Sequence, residues 1–396
     1  MDITDVLENQ SFVHVGVDLA KNVFQVAYME PLTNTLVNQQ MNRTKFEKFL
    51  KDSKIKFKVV MEACSTCHYW GRECRKYGHL PMIIPAEITN SINIGSKDDK
   101  NDAHAIWQAS FLPGIKTINV RSEENQAEGY LLKTRDFVLK IDTETNNNLK
   151  ALLSEYGCVC NTTDYEKTKA VAQAFLDKSF QENKPWASTL KASVDALNKV
   201  REAIHESEKK LHEKIEETAK NNDLVQRLMT IPYVGPITSL AFANVMADPA
   251  LFKNGRQFAD YCGETPYHTG SGGKVTILGI ARKGNPVLKR SLYEGASGLY
   301  NRVKTGIESK TCHYYQSDWI LNLVCRKPRK VAICAIANKM CRIAWAVAAT
   351  ENGRYDRTKT SLVSVLMKSP EQIEQQKAAK AQAKAQAAAK ASAKAA

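Results

Sequence analysis

Four carboxylates in the first 105 residues stand where they could do chemistry together. Asp18 follows Val15-Gly16-Val17, Glu62 follows Val59-Val60-Met61, and Asp99 and Asp102 stand three apart in KDDKNDAHAI. Short apolar runs of this kind read as buried strands. If the two strands neighbour each other, Asp18 and Glu62 emerge at one edge of a sheet, and Gly16 lets backbone approach closely there. Asp99 and Asp102, at i and i+3, share one face of a helix. Such oxygen ligands suit Mg²⁺ or Mn²⁺, which take carboxylates together with water and substrate phosphate. Two such ions would activate a nucleophile and stabilise a leaving oxygen in an in-line displacement at phosphorus. Each acid alone also reads as a surface or capping residue. Asp98 has the look of a helix cap, and Asp99 could serve as one too. A second cluster, Cys64, Cys67, His68 and Cys74, has a spacing that could ligate zinc. With no matching second pair behind it, it reads as buried thiols.

These residues need elements to hold them. Residues 12–30 read as strand, tight turn, strand, and residues 34–41 as a third strand. A short helix over Thr44 to Lys51 follows, then a strand over Lys56 to Met61, a helix bearing Trp70, a strand over Leu80 to Ile84, and a helix from Lys97 to Phe111. Three consecutive strands followed by alternating helix and strand predict a mixed sheet. Helical spacing returns from Ser122 to Tyr156 and from about Leu190 to Ala219. In the second stretch Val194, Leu197, Ile204, Leu211 and Ile215 keep a seven-residue rhythm that Arg201 and Glu208 interrupt. A polar loop over 157–186 joins the two, giving either a coiled-coil surface for a partner or a plain packed pair. From Leu224 a new region opens. Its turn Ile231-Pro-Tyr-Val-Gly-Pro236 has the shape of a helix-hairpin-helix element, whose loop amides can hold a DNA phosphate. Helices continue to about Asn352, broken by the glycine-rich GETPYHTGSGGK.

Lys and Arg outnumber Asp and Glu by 56 to 42 in 396 residues, a net charge of +14. Phosphate neutralisation makes a polyanion the simplest partner for that excess. Part of it lies in the low-complexity tail, where five Lys and no acid follow Glu374. No apolar run reaches 18 residues, so no membrane span is expected. The polar start MDITDVLENQ does not read as a signal peptide. Ten Cys without a secretion signal fit reduced thiols in a cytoplasm.

GVDLAKNVFQV, VVMEAC, KDDKNDAHAI and PGIKTINVRSEENQ resemble the DEDD domain of the IS110 family of bacterial insertion-sequence transposases, whose relatives are the Piv DNA invertases. A second block, from IPYVGPITSLAFANVM through SGGKVTILGIARKGNP to KPRKVAICAIANKMCRIAWAVAA, resembles its C-terminal domain, with SGGK and LGIARKGN closer to the IS1111 branch. The resemblance implies an α/β plus α chain. Its parts are a RuvC-like, RNase H-type domain over 1–121, a long-helix coiled-coil region over 122–222, a helical C-terminal domain over 223–355, and a basic tail over 356–396. It implies that Asp18, Glu62, Asp99 and Asp102 are catalytic metal ligands for Mg²⁺ or Mn²⁺. Ser271, in Gly-Ser-Gly-Gly-Lys, is implied as a nucleophile that forms a phosphoserine link to DNA. Glycines on both sides would leave its hydroxyl open to a phosphodiester. The residues alone read first as a flexible Gly-Ser turn.

Lys21, Lys274, Arg282, Lys283 and Arg290 are expected to bind nucleic acid. The resemblance further implies donor and target DNA as partners, a structured bridge non-coding RNA as guide, a homodimer or homotetramer whose protomers share the reaction, and action at the bacterial nucleoid in the cytoplasm. Three departures mark this chain: Tyr233 where a second turn glycine is usual, Glu264 where an apolar residue is common, and Ala281 for a serine. The alternatives are a RuvC-like nuclease or Holliday-junction resolvase using the four acids alone, a Piv-like invertase without RNA, and a nucleic-acid-binding protein with a degenerate nuclease fold.

Overall fold

Alternation of apolar residues builds the first sheet. In the computed structural model, which describes residues 12–93, 98–115, 117–309 and 318–356, the chain divides into two compact units, residues 1–127 and 128–396. The first unit runs β1 (Val13–Asp18), β2 (Val23–Met29), β3 (Leu36–Asn42), α1 (Arg43–Asp52), β4 (Phe57–Glu62), α2 (Cys67–Lys76), β5 (Leu80–Ile84), α3 (Ala86–Ile92) and α4 (Asp99–Ala109). Its five strands lie in the order β3-β2-β1-β4-β5. The first three are joined antiparallel, and β1, β4 and β5 run parallel. The predicted mixed sheet is therefore present, with strand ends within two residues of those read from the sequence.

Odd and even residues of the strands go to opposite faces. Val15, Val17, Phe24, Val26, Val59 and Met61 pack with Phe46 and Leu50 of α1 and with Trp70 and Cys74 of α2. The Trp70 ring meets Phe24 and Phe46 edge-on at centroid distances of 5.2 and 5.0 Å. On the other face Val60 and Ile84 pack under Ile106 and Ala109 of α4. Gly16, His14 and Asp18 belong to this second face by alternation.

The second unit takes in most of α5 (Glu123–Glu155), then α6 (Tyr165–Gln181) and α7 (Ala187–Lys220). The expected polar loop over 157–186 is corrected here, because 17 of its residues form α6. Asp164 caps that helix by accepting from the Lys167 amide at 2.9 Å. Its buried stripe, Ala172 and Leu176, joins Leu149, Leu153, Leu190 and Val194. The buried positions, Thr168, Ala172, Leu176 and Ser179, include one large apolar residue, so in sequence the stripe hardly differs from a polar linker. Arg201 and Glu208, which break the seven-residue rhythm of α7, find partners on α5. Arg201 Nε donates to Asp142 at 3.1 Å and Arg135 to Glu208 at 2.8 Å. The partners are seven residues apart on each helix and run in opposite senses, so the two ion pairs fix an antiparallel register. Arg201 is fully buried, with its guanidinium 4.7 Å over the Tyr165 ring.

The chain continues through α8 (Asp223–Leu228), α9 (Pro236–Met246), a 3₁₀ turn at Pro249–Leu251, α10 (Gly255–Tyr261), β6 (Pro266–Ser271), β7 (Lys274–Ile280), α11 (Pro286–Glu308), α12 (Asp318–Arg326) and α13 (Arg329–Ala349). Phe242, Phe258, Leu288, Leu292, Ile333, Ile336 and Met340 form its centre, and Leu132 and Ile215 of the long helices join it. Among the described residues one helix, α13, is long and apolar enough to cross a membrane. It carries Arg329, Lys330, Lys339 and Arg342, and buries Ile333, Ile336, Met340 and Ala344 in this core. The glycine-rich stretch, expected only as a break between helices, is a β-hairpin. The tail from residue 357 onward, with its lysines, lies outside the described residues.

Candidate functional site

Parallel pairing of β1 with β4 sets Val17 beside Met61, so Asp18 and Glu62 follow at the same end of adjacent strands. Alternation puts both on the face covered by α4. That helix begins at Asp99, and the Asp98 side chain caps it by accepting from the Asn101 amide at 2.9 Å. The capping role thus falls to Asp98, leaving Asp99 and Asp102 in the first turn. Asn93 donates to Asp102 Oδ1 at 2.6 Å. The carboxyl of Asp18 is pushed up to about 6, first by burial and then by the negative charges of Asp102, Asp99 and Glu62. All three other acids of the proposed set act on Asp18, and Asp98 is not among the causes.

Among the described residues no group of three or more His, Cys, Asp or Glu side chains is placed to hold a metal ion as it stands. By donor chemistry alone, carboxylate oxygens suit a hydrated cation such as Mg²⁺, which keeps several of its waters. They fit zinc poorly, since zinc is held in closed tetrahedral sets of nitrogen and sulfur. Burial raises both Cys67 and Cys74, the latter to about 12, which keeps them protonated.

Two devices hold α4 over the sheet. Gly16 is the first. A Cβ there would stand 2.4 Å from the Trp107 backbone nitrogen and 2.6 Å from the Ala103 carbonyl oxygen. Neither atom can yield without moving the helix. Gly16→Ala is expected to lower stability by about 1–3 kcal/mol, the range for overpacking a filled interior. Urea unfolding of the variant checks this, and an unchanged midpoint would refute the close approach. The second device is an amide relay. Gln25 Nε2 donates to Asn38 Oδ1 at 2.6 Å, and Asn38 Nδ2 donates to the Lys100 carbonyl in the first turn of α4 at 2.9 Å. Neither Gln25 nor Asn38 stands out in the sequence, although a glutamine inside the apolar run Val23-Phe24-Gln25-Val26 was a legible signal.

Ser271 is the last residue of β6, paired in register with Lys274. Gly272 and Gly273 between them have φ of 58° and 80°. Positive φ at both central residues is the two-residue hairpin turn whose twist matches that of its strands, and it favours glycine. The base of the hairpin is tied by a residue that sequence reasoning passed over. Lys289 Nζ donates to the carbonyls of Gly263, Ala281 and Lys283, at 3.0, 2.5 and 3.2 Å. Beside it Glu264 is only 5% exposed, and burial pushes its carboxyl up to about 7 against the opposing pull of Lys289. The turn residue Tyr233 takes φ 62°, the left-handed conformation that favours glycine. Gly295 of α11 leaves room for it, since a Cβ at Gly295 would lie 2.5 Å from the Tyr233 carbonyl.

Of the basic residues, Lys21, Lys274 and Arg282 are exposed. Lys283 donates to Asp260 at 2.7 Å, and Arg290 pairs with Asp136. Ion pairs this exposed contribute little and break readily for a phosphate. Lys274 lies on the hairpin, and Arg282 and Lys283 directly follow it.

A mixed five-stranded sheet with Asp18 and Glu62 at the ends of adjacent parallel strands, together with a largely helical second unit, defines an α/β plus α class. The second unit identifies the chain more closely. Residues 225–311 match the family model described as Transposase IS116/IS110/IS902 family. The chain is 28% identical over 338 residues to a Pseudomonas aeruginosa protein described as "Probable family 20 transposase", covering 85% of this chain and 97% of that one. It is 27% identical over 337 residues to the transposase for insertion sequence element IS1328 of Yersinia enterocolitica, covering 84% and 96%. It is 28% identical over 333 residues to the transposase for insertion sequence element IS1111A of Coxiella burnetii, covering 84% and 88%. Over most of its length the chain is thus similar to proteins described as insertion-sequence transposases, and residues 225–311 carry the match to the IS116/IS110/IS902 family.

Proposed function

We propose that the chain cuts and rejoins DNA strands with Ser271 as the nucleophile and with Asp18, Glu62, Asp99 and Asp102 holding Mg²⁺ or Mn²⁺. The observation that carries the reading is that Asp18 and Glu62 end adjacent parallel strands while Asp102, Asp99 and Glu62 all act on the Asp18 carboxyl, with Asp98 serving as a helix cap. The strand order, three antiparallel followed by two parallel, supports a RuvC-like domain. A bound divalent ion would supply charge neutralisation at the scissile phosphate. The Ser271 oxygen forms a bond to phosphorus and loses its proton, while the bond from phosphorus to the 3′ oxygen breaks and that oxygen takes a proton up. A phosphoserine link and a 3′-hydroxyl result. After strand exchange a 3′-hydroxyl attacks the phosphoserine, the serine leaves, and the DNA is resealed. The bond energy stays in the phosphodiester throughout, so no nucleotide is consumed.

Lys274, across the turn from Ser271, together with Arg282 and Lys283, would neutralise phosphate near the hairpin, and Lys21 would do so near β1. Arg290 would exchange Asp136 for a DNA phosphate. A bridge RNA as guide accords with basic residues spread over the chain, because a protein that delegates sequence to base pairing reads backbone and shape. A dimer or tetramer through the long helices, acting at the nucleoid, completes the reading. The test is covalent trapping. Full-length protein with donor DNA, the element's RNA and Mg²⁺ is expected to yield a denaturant-resistant protein–DNA adduct. No adduct under those conditions, or one formed equally in EDTA, would overturn it.

A further inference from the structure

We infer that the side-chain carbonyl of Gln25 is a fifth oxygen of the cation site, taking the ion or one of its waters, with Asn38 as the residue that aims it. The inference rests on the reading of Asp18, Glu62, Asp99 and Asp102 as cation ligands.

Gln25 is the cross-strand partner of Asp18. Cross-strand partners stand on the same face about 4.5–5.5 Å apart. Its neighbours Phe24 and Val26 belong to the core on the opposite face, so Gln25 falls on the side covered by α4. It is 2% exposed, and Oε1 has no hydrogen-bond partner among the described residues. The amide cannot be turned over to remedy this. The Lys100 carbonyl only accepts, so Asn38 must offer it the NH₂ end. Asn38 therefore presents Oδ1 to Gln25, which must answer with Nε2. A backbone carbonyl at the end of the relay thus fixes both amides and leaves the Gln25 oxygen as a bare acceptor on the face of Asp18. Buried acceptors are nearly always satisfied, and an orphan calls for a donor or a cation. Beside four acids that repel one another, a cation or its water meets the need. A neutral oxygen adds a ligand without adding to that repulsion. Because the relay ends in the turn that carries Asp99 and Asp102, it also ties the position of those acids to that of the amide.

The experiment is calorimetric titration of the full-length protein with Mn²⁺ in the absence of DNA, with melting of the metal-free protein recorded alongside. Gln25→Leu keeps the volume and removes the oxygen. It is expected to weaken Mn²⁺ about tenfold, at the low end of what residues supporting a metal site contribute. Gln25→Glu keeps an oxygen at that place but sets its second oxygen against Asn38 Oδ1, so it is expected to bind more weakly than wild type and more tightly than Gln25→Leu. Asp18→Asn is expected to lose binding. If Gln25→Leu binds Mn²⁺ like wild type while Asp18→Asn does not bind, the inference is overturned and the cation reading stands. If wild type itself does not bind, or Asp18→Asn binds as well as wild type, both fall. If Gln25→Leu and Gln25→Glu weaken binding alike and both lower the metal-free melting temperature, the residue only packs and the inference is overturned.

Discussion

Asp18→Asn is expected to slow metal-dependent strand cleavage by about a thousandfold, on the order of 4 kcal/mol in the barrier. The same substitution should leave the metal-free protein more stable at neutral pH, an unusual pairing that exposes what the residue is for. The Asp18 carboxyl is raised to about 6, mostly by burial and then by Asp102, Asp99 and Glu62. A carboxyl whose folded pKa lies above its unfolded value binds its proton more tightly when folded. Metal-free wild type should therefore be more stable on the acid side, and should lose that advantage as pH rises from about 4 through about 6. Asparagine carries no proton to lose, so the variant should show no such fall. Urea unfolding in EDTA at pH 5 and pH 8 reads the difference. In the presence of Mn²⁺ the dependence reverses, because the ion competes with the proton, and affinity should climb as pH rises through about 6. Wild-type cleavage rates in Asp18→Asn, or a metal-free stability that rises toward pH 8, would remove Asp18 from the site. On the proposed reading Asp18 would weaken the fold until an ion binds, the stability–activity conflict expected of a functional acid.

How much of this could be read from residues alone depends on how each element buries itself. The sheet was legible because Val15, Val17, Val59 and Met61 alternate with residues for the other face. The neighbouring of β1 and β4, left as a condition by the sequence, is what brings Asp18 and Glu62 together. The sequence favoured Asp98 as the cap but left Asp99 open, because two adjacent acids at a helix start are chemically alike until one accepts from the Asn101 amide, as Asp98 does. The hairpin that carries Ser271 escaped for a different reason. Tyr267, Val275 and Ile277 are all well exposed, so neither of its faces shows the apolar-in, polar-out alternation by which a strand is recognised. Its shape comes from the two glycines at positive φ and from Lys289, a residue 15 positions beyond Lys274 whose reach to three carbonyls no local pattern encodes. The helix α6 was hidden because its buried face is mostly small or polar, Thr168, Ala172 and Ser179 beside the one large residue Leu176. Arg201 shows the converse. It looked like a flaw in a seam and turned out to be a buried, paired register mark. Truncating one partner of such a pair usually harms more than replacing both.

Ser271→Ala is expected to abolish the covalent adduct and to reduce rejoined product by at least about ten-thousandfold, the scale seen when an enzyme loses its nucleophile. The hairpin makes the prediction sharp. Thr269 also carries a hydroxyl two residues earlier in β6, paired with Thr276, whereas residue 271 adjoins the turn and faces Lys274. A nucleophile at the turn needs no bulky phosphodiester to reach along the strand, and strand register pairs position 271 with Lys274. If Thr269 were the attacking group, Ser271→Ala would still form the adduct and Thr269→Val would not. If water were the nucleophile, as in a plain four-acid nuclease, Ser271→Ala would cut strands at the wild-type rate and no adduct would form with either protein. Cutting retained without rejoining would thus reduce the chain to a nuclease. Loss of both in Ser271→Ala, with Mn²⁺ affinity intact, would assign the bond-making oxygen to the hairpin and leave the four acids to the ion.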